Sequence, residues 1–199
     1  HEAFQNPEIN GIICARGGYG SIRLLKLIDF VLIRRNPKIF CGYSDITALS
    51  LMMAKHSDLI TFSAPMAQSD FNEITEFTAN SVFRVLTGEK EEYFSTWTYL
   101  SGNAEGIIWG GNLSTVVSLC GIDFLPDEDF IFFAEDLNEP VYKIDKMLNQ
   151  LVNIKDFRKH CKGVAFGEFM DCGDEKELSE VLYEFANLLN VPTYGGFKF

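Results

Sequence analysis

The segment Gly42-Tyr43-Ser44-Asp45-Ile46-Thr47 constrains this chain more than any other, because it sets a serine at the step from an apolar strand into a helix. Upstream, Pro37-Lys38-Ile39-Phe40-Cys41 reads as the strand. Downstream, residues 45–55 carry apolar side chains at helical spacing. A serine held at such a corner projects its hydroxyl from the end of a sheet, and the helix start offers backbone N–H groups to a developing oxyanion. Ser44 is therefore the candidate nucleophile. The same residues also fit an ordinary strand-to-helix turn in which Ser44 or Asp45 caps the helix.

A second step of the same kind lies upstream. Residues 9–15 form a short apolar run that ends in Arg16-Gly17-Gly18-Tyr19-Gly20-Ser21, and an amphipathic stretch follows from Ile22 to Phe30. Two strand-helix steps in about 45 residues favour an α/β protein with a parallel, doubly wound, flavodoxin-like layer, in which both loops open beyond the carboxyl ends of the strands. The glycine loop lacks the lysine and Ser/Thr of a P-loop and the spacing of a dinucleotide fingerprint, which argues against a nucleotide site. It suits donation of a backbone N–H, from Gly18, to an oxyanion beside Ser44; a plain tight turn is the competing reading.

Around residues 87–106 the character changes to a charged, glycine-punctuated stretch, read here as a linker. It divides an N-terminal domain, 1–86, from a smaller C-terminal α/β domain, 107–199. In the latter, an apolar helix runs to Cys120, strands fall at 130–134 and 163–167, helices at 141–151 and 175–189, and a last strand in 191–199.

Net charge is −11 and the basic residues are scattered, which argues against nucleic-acid or anionic-membrane partners. Five widely spaced cysteines read as free thiols in a reducing cytoplasm. Neither a Cys-x-x-Cys pair nor a histidine cluster suggests a metal, and no apolar run is long enough to span a membrane.

Glu135-Asp136 ends the strand 130–134, where a carboxylate can enter the crevice while the sheet holds its backbone. In a serine-histidine-acid triad the carboxylate fixes the histidine tautomer and stabilises the imidazolium. Asp136, Glu139 and Asp145 are expected instead to cap and solvate the following helix. Of the three histidines, His56 lies roughly 17 Å along the helix from Ser44, His160 sits in a polar turn and His1 at the chain start, so all three read as non-catalytic.

Taken in order, Arg-Gly-Gly-Tyr-Gly at 16–20, Asn-Pro-Lys-Ile-Phe-Cys-Gly-Tyr-Ser-Asp-Ile-Thr-Ala-Leu at 36–49, Gly-Gly-Asn-Leu at 110–113, Ala-Glu-Asp-Leu-Asn-Glu-Pro-Val-Tyr-Lys-Ile-Asp at 134–145 and Gly-Val-Ala-Phe-Gly-Glu-Phe at 163–169 resemble the LD-carboxypeptidase family. These serine peptidases include murein tetrapeptide carboxypeptidases and microcin C immunity peptidases. The resemblance implies a cytoplasmic two-domain homodimer without cofactor. It places the nucleophile at Ser44, the triad acid at Glu135 and the oxyanion donors at the backbone N–H groups of Asp45 and Gly18. Gly17 and Asn112 fall to substrate binding, Asn112 as a shaper of the pocket; from the residues themselves Arg16, beside the glycine loop, is the candidate cation for a free carboxylate, a structural ion pair being the competing reading.

The substrate so implied is a small peptide with a C-terminal D-amino acid, D-alanine in a murein tetrapeptide. The alternatives are a peptidyl-nucleotide antibiotic, or a non-catalytic binding module if no histidine follows Phe199. The family's histidine comes just after the Gly-Phe strand near the C-terminus, and its opening strand precedes a segment like residues 1–8. The chain is accordingly expected to be a piece of a longer protein, truncated at both ends and inactive or nearly so by itself.

Overall fold

The computed structural model describes residues 1–90 and 92–197. They divide into two compact units, His1–Glu92 and Tyr93–Phe199. The first contains α1 (Glu2–Gln5), β1 (Gly11–Ile13), α2 (Ser21–Leu24), α3 (Phe30–Arg35), β2 (Ile39–Cys41), α4 (Thr47–Ser57) and α5 (Glu76–Leu86). Strands β1 and β2 pair in parallel, Ile13 opposite Cys41, and Cys41 also bridges to Phe62. Phe4, Ile33, Phe40, Ile46, Met53, Leu59 and Met66 form the core of this unit.

The single helix expected over 22–30 is broken into α2, a 3-10 turn at Leu25–Leu27 and α3. Ile28 is extended, and Asp29 restarts the helix by accepting the Leu32 N–H on its carboxylate at 2.9 Å. An aspartate inside an apolar run is thus a cap that periodicity alone reads through.

The second unit is a five-stranded sheet in the order β3-β7-β6-β5-β4, with β3 antiparallel to β7 and the other pairs parallel. Its elements are β3 (Trp97–Leu100), β4 (Ile107–Asn112), α6 (Leu113–Ser118), β5 (Phe130–Leu137), α7 (Val141–Val152), α8 (Lys155–His160), β6 (Cys161–Met170), α9 (Glu175–Leu189) and β7 (Thr193–Gly195). Strand β3 lies inside the stretch expected as a linker, and Glu91 of that stretch lies outside the described residues. Of the last strand expected in 191–199, only Thr193–Gly195 pairs; positions 198 and 199 are also outside the described residues. His160 ends helix α8 where a polar turn was expected.

Continuous apolar runs such as Phe130-Ile131-Phe132-Phe133-Ala134 are what a parallel strand covered on both faces needs. On one face Phe132 meets Phe157 edge-on at 5.0 Å between ring centroids and Phe185 at 6.3 Å, while Phe166 meets Phe185 at 6.0 Å. Helix α7 adds the fully buried Ile144, Leu148 and Leu151, which recur at the helical period.

Backbone register then decides which residues reach the carboxyl edge together. Gly111, Ala134, Phe166 and Gly195 form one row across β4, β5, β6 and β7. One step beyond it stand Asn112 and Glu135, themselves register partners. Between Ala134 and Asp136 the pairing with β6 shifts by a residue, a bulge opposite Glu135.

Gly110 shows how tightly this edge is built. Its φ is +144°, and a Cβ there would collide with the Phe133 carbonyl of the paired strand. Gly110→Ala is expected to unfold the second unit, a loss above about 4 kcal/mol. Gly88→Ala, at φ +84° but with no atom within 4 Å of the added carbon, is expected to cost only about 1–2 kcal/mol. Urea unfolding of the two variants against the parent checks both.

Candidate active site

The corner after β2 is a sharp strand-to-helix turn. Ser44 has φ +59°, a left-handed conformation that costs a non-glycine residue about 1–2 kcal/mol. The turn it opens, Ser44–Ile46, leads into α4, and neither this turn nor α4 has a side-chain cap. Neither Ser44 nor Asp45 therefore serves as the ordinary N-cap that the sequence also allowed. Gly42 is needed for the bend, because a Cβ there would lie 2.8 Å from Ile46 Cγ2 and 3.2 Å from Cys14 Cβ. The Tyr43 hydroxyl donates to Asp70 Oδ1 at 3.0 Å and ties the 66–70 loop to the elbow.

The glycine loop comes up against the serine. A Cβ at Gly17 would stand 3.1 Å from both Cβ and Oγ of Ser44 and 3.7 Å from the Asp45 nitrogen. Gly17, expected in substrate binding, is thus a point of close backbone approach to the hydroxyl. Among the described residues, no hydrogen bond takes the backbone N–H of Asp45 or Gly18. Arg16 is exposed and reaches only the Gly17 carbonyl, at 3.5 Å.

The Asp45 side chain was not anticipated. Its Oδ2 accepts from the N–H of Gly20 at 3.0 Å, the N–H of Ser21 at 3.0 Å and the hydroxyl of Ser21 at 2.8 Å. The available signal was a serine following the last loop glycine at a helix start, where orphan N–H groups attract a carboxylate.

In the second unit the acid pair splits by strand alternation. Asp136, 2% exposed, shares the face of Phe130 and Phe132, and Glu135 is half-buried on the other. Asp136 does not cap the following helix as expected; it accepts from the N–H of Ser114 in the preceding helix, α6, at 2.9 Å, from Leu137 N–H at 2.9 Å and from Asn112 Nδ2 at 2.9 Å. Glu139 and Asp145 do act locally on α7, pairing with Lys143 at 3.2 Å and Asn149 at 2.7 Å.

Asn112, expected to bind substrate, has its polar atoms engaged within the chain. Its oxygen accepts from Ser114 Oγ, Thr115 N–H and Thr115 Oγ1, and its amide hydrogen-bonds both Asp136 and Glu135. Burial pushes the Glu135 carboxyl up from 4.5 to about 7; the neighbouring Asp136 charge adds to the rise and the Asn112 bond opposes it. Burial also raises Asp136, against its three donors.

Each histidine has its contacts elsewhere in its own unit. In the first unit His1 Nε2 accepts the Asp29 N–H and His56 packs on Phe30, 5.2 Å between ring centroids. His160 contacts Asp129 at 3.2 Å, before the start of β5 and about 20 Å of chain from Glu135. Among the described residues, no group of three or more His, Cys, Asp or Glu is placed to hold a metal, and all five cysteines are free. No helix among them is long and apolar enough to cross a membrane.

A raised carboxyl makes folding take up a proton wherever the unfolded carboxyl is ionised and the folded one is not. Its contribution is full below about pH 4.5 and is lost as pH rises through about 7. Glu135→Gln keeps the neutral form at every pH. It is expected to exceed the parent in stability by on the order of 1–3 kcal/mol at about pH 8, with the gap closing toward pH 4.5. Urea unfolding across that range checks the sign.

The model of the LD-carboxypeptidase N-terminal domain matches residues 1–64, and that of the C-terminal domain matches residues 105–199. The chain is 37% identical over 210 residues to a Bacillus subtilis (strain 168) protein named a probable murein peptide carboxypeptidase, a match covering 100% of this chain and 66% of that one. Among solved structures it is similar to the MccF-like protein from Bacillus anthracis str. Ames, with a TM-score of 0.88 and 30% identity over 100% of this chain and 70% of that one. It is likewise similar to muramoyltetrapeptide carboxypeptidase from Oxalobacter formigenes, with a TM-score of 0.85 and 31% identity over 100% of this chain and 71% of that one. The chain thus spans about two thirds of the length of the proteins it resembles. With both domains of one family matched in order, the chain belongs to the LD-carboxypeptidase family of serine peptidases.

Proposed function

We propose that this chain is the nucleophile- and acid-bearing part of a cytoplasmic serine carboxypeptidase that releases a C-terminal D-amino acid, D-alanine, from a murein tetrapeptide in peptidoglycan recycling. The observation that carries the reading is Ser44, held at φ +59° on a strand-helix corner beside backbone N–H groups that have no acceptor among the described residues. A left-handed serine costs stability and presents its hydroxyl; strain of this kind collects at reacting groups.

In this mechanism Ser44 Oγ attacks the carbonyl of the L,D-peptide bond as a histidine takes its proton. The N–H groups of Asp45 and Gly18 hold the oxyanion. The C–N bond breaks, the histidine returns the proton to the departing D-alanine amine, and water hydrolyses the seryl ester by the same proton path. Glu135 fixes the imidazole and stabilises its charged form. The family resemblance puts that histidine after Phe199, beyond β7. Strand order supports the placement: β7 leaves the sheet on the edge that carries Glu135, two strands away or about 10 Å, which an imidazole and a glutamate side chain can close.

A murein peptide is favoured by the murein carboxypeptidase names of two similar proteins. The MccF-like name of the third motivates the rival substrate, a peptidyl-nucleotide. The complete protein is expected to liberate D-alanine from the tetrapeptide, and Ser44→Ala to lower kcat by about 10⁴-fold or more. Amino-acid analysis of the products checks this. Turnover of an aminoacyl sulfamoyl nucleoside with none of the tetrapeptide would move the assignment to the rival substrate, and no hydrolysis of either would leave a binding module.

A further inference from the structure

Asp45 lies in the turn that leads into α4, and its carboxylate does not cap that helix. Oδ2 instead crosses to the end of the glycine loop and accepts all three donors there, the N–H of Gly20, the N–H of Ser21 and the Ser21 hydroxyl, at 3.0, 3.0 and 2.8 Å. Ser21 is only 5% exposed, so its hydroxyl has little access to water as a substitute. At its other end the loop is anchored by the sheet, where Cys14 N–H donates to the Cys41 carbonyl at 3.0 Å. The stretch between, 15–19, is where Gly17 comes against Ser44 Oγ.

We propose that Asp45 and Ser21 form a positioning pair that holds the glycine loop against the Ser44 elbow and thereby fixes the spacing of the two oxyanion donors. One residue then serves both sides of the oxyanion hole. The Asp45 main chain supplies one N–H, and its side chain, without touching substrate, sets where the loop's N–H stands. The inference rests on the reading of Ser44 as nucleophile. An oxyanion donor is effective only within a few tenths of an ångström of its place, and losing one costs about 10²–10³ in kcat. Gly17 and Gly18 have no side chains of their own with which to hold that place.

The test compares Asp45→Ala, Asp45→Asn, Ser21→Ala and the double variant Asp45→Ala/Ser21→Ala in the complete protein, with Ser44→Ala alongside. Three quantities are read: kcat and KM for D-alanine release, the rate of labelling by a fluorophosphonate, which needs the oxyanion hole but no peptide contacts, and the unfolding midpoint. Asp45→Ala is expected to lower kcat and labelling rate together by about 10²-fold with KM within about threefold. Asp45→Asn should recover part of the loss, since an amide oxygen still accepts, and Ser21→Ala should lose about 3- to 10-fold. The double variant should be no slower than Asp45→Ala, because both substitutions cut one tie.

Labelling by Asp45→Ala within twofold of the parent, with Ser44→Ala inert, overturns the pair and leaves the nucleophile standing. Losses that track only the unfolded fraction, with folded molecules labelling at the parental rate, overturn it as well. If Asp45→Ala does not fold, a fully active Ser21→Ala together with a fully active Asp45→Asn overturns it. Labelling that persists in Ser44→Ala, or is absent from the parent, removes the nucleophile and this pair with it.

Discussion

Parallel pairing is the constraint on which the rest of this structure depends. A parallel strand must leave the sheet at its carboxyl end and return by a crossover, so loops and chemistry collect at one edge. Each unit uses its edge in this way. In the first, β1 delivers the glycine loop and β2 delivers Ser44. In the second, β4 and β5 deliver Asn112 and Glu135 as register partners. The positions of these residues follow from a ladder of backbone hydrogen bonds, which is stiffer than any loop could be.

At the second edge one amide organises two carboxylates. Leaving Glu135 and Asp136 side by side, half-buried and buried, raises both. Asn112 limits the rise by hydrogen-bonding the two of them, while its oxygen caps α6. The division of labour comes from the strand's period of two. Asp136 faces the helix and is absorbed by three donors there, whereas Glu135 faces away and keeps a carboxyl that burial has made unusually basic. Such a group gains most from a cation brought beside it, which is what a triad acid does for an imidazolium.

Much of this was legible in the residues themselves. Ile39-Phe40-Cys41 followed by Gly42 and Ser44 announced a strand-to-helix corner, and 130–134 announced a buried parallel strand, because both signals are local. What stayed hidden was long-range. That Asp45 reaches Gly20 and Ser21, 25 and 24 residues away, depends on how two loops meet. That Asp136 serves α6 rather than α7 depends on the order of strands in the sheet. The stretch 87–106 read as a linker because its glycines, charges and aromatics show no helical period, yet within it Trp97–Leu100 pairs with β7, a partner almost a hundred residues on. The break at Ile28 was missed for the opposite reason: an apolar period continued through it while one aspartate capped a new helix just beyond.

The left-handed backbone at Ser44 sets stability and chemistry against each other at a single residue. Glycine is the one amino acid that would occupy φ +59° without strain, and it is also one that deletes the hydroxyl. Any search for sturdier versions of this fold, scored on melting alone, would drift toward glycine there and reward the loss of the proposed nucleophile. The corner is therefore a place where tolerance of a substitution and retention of activity are opposite readouts, and a library selected for one would be depleted in the other.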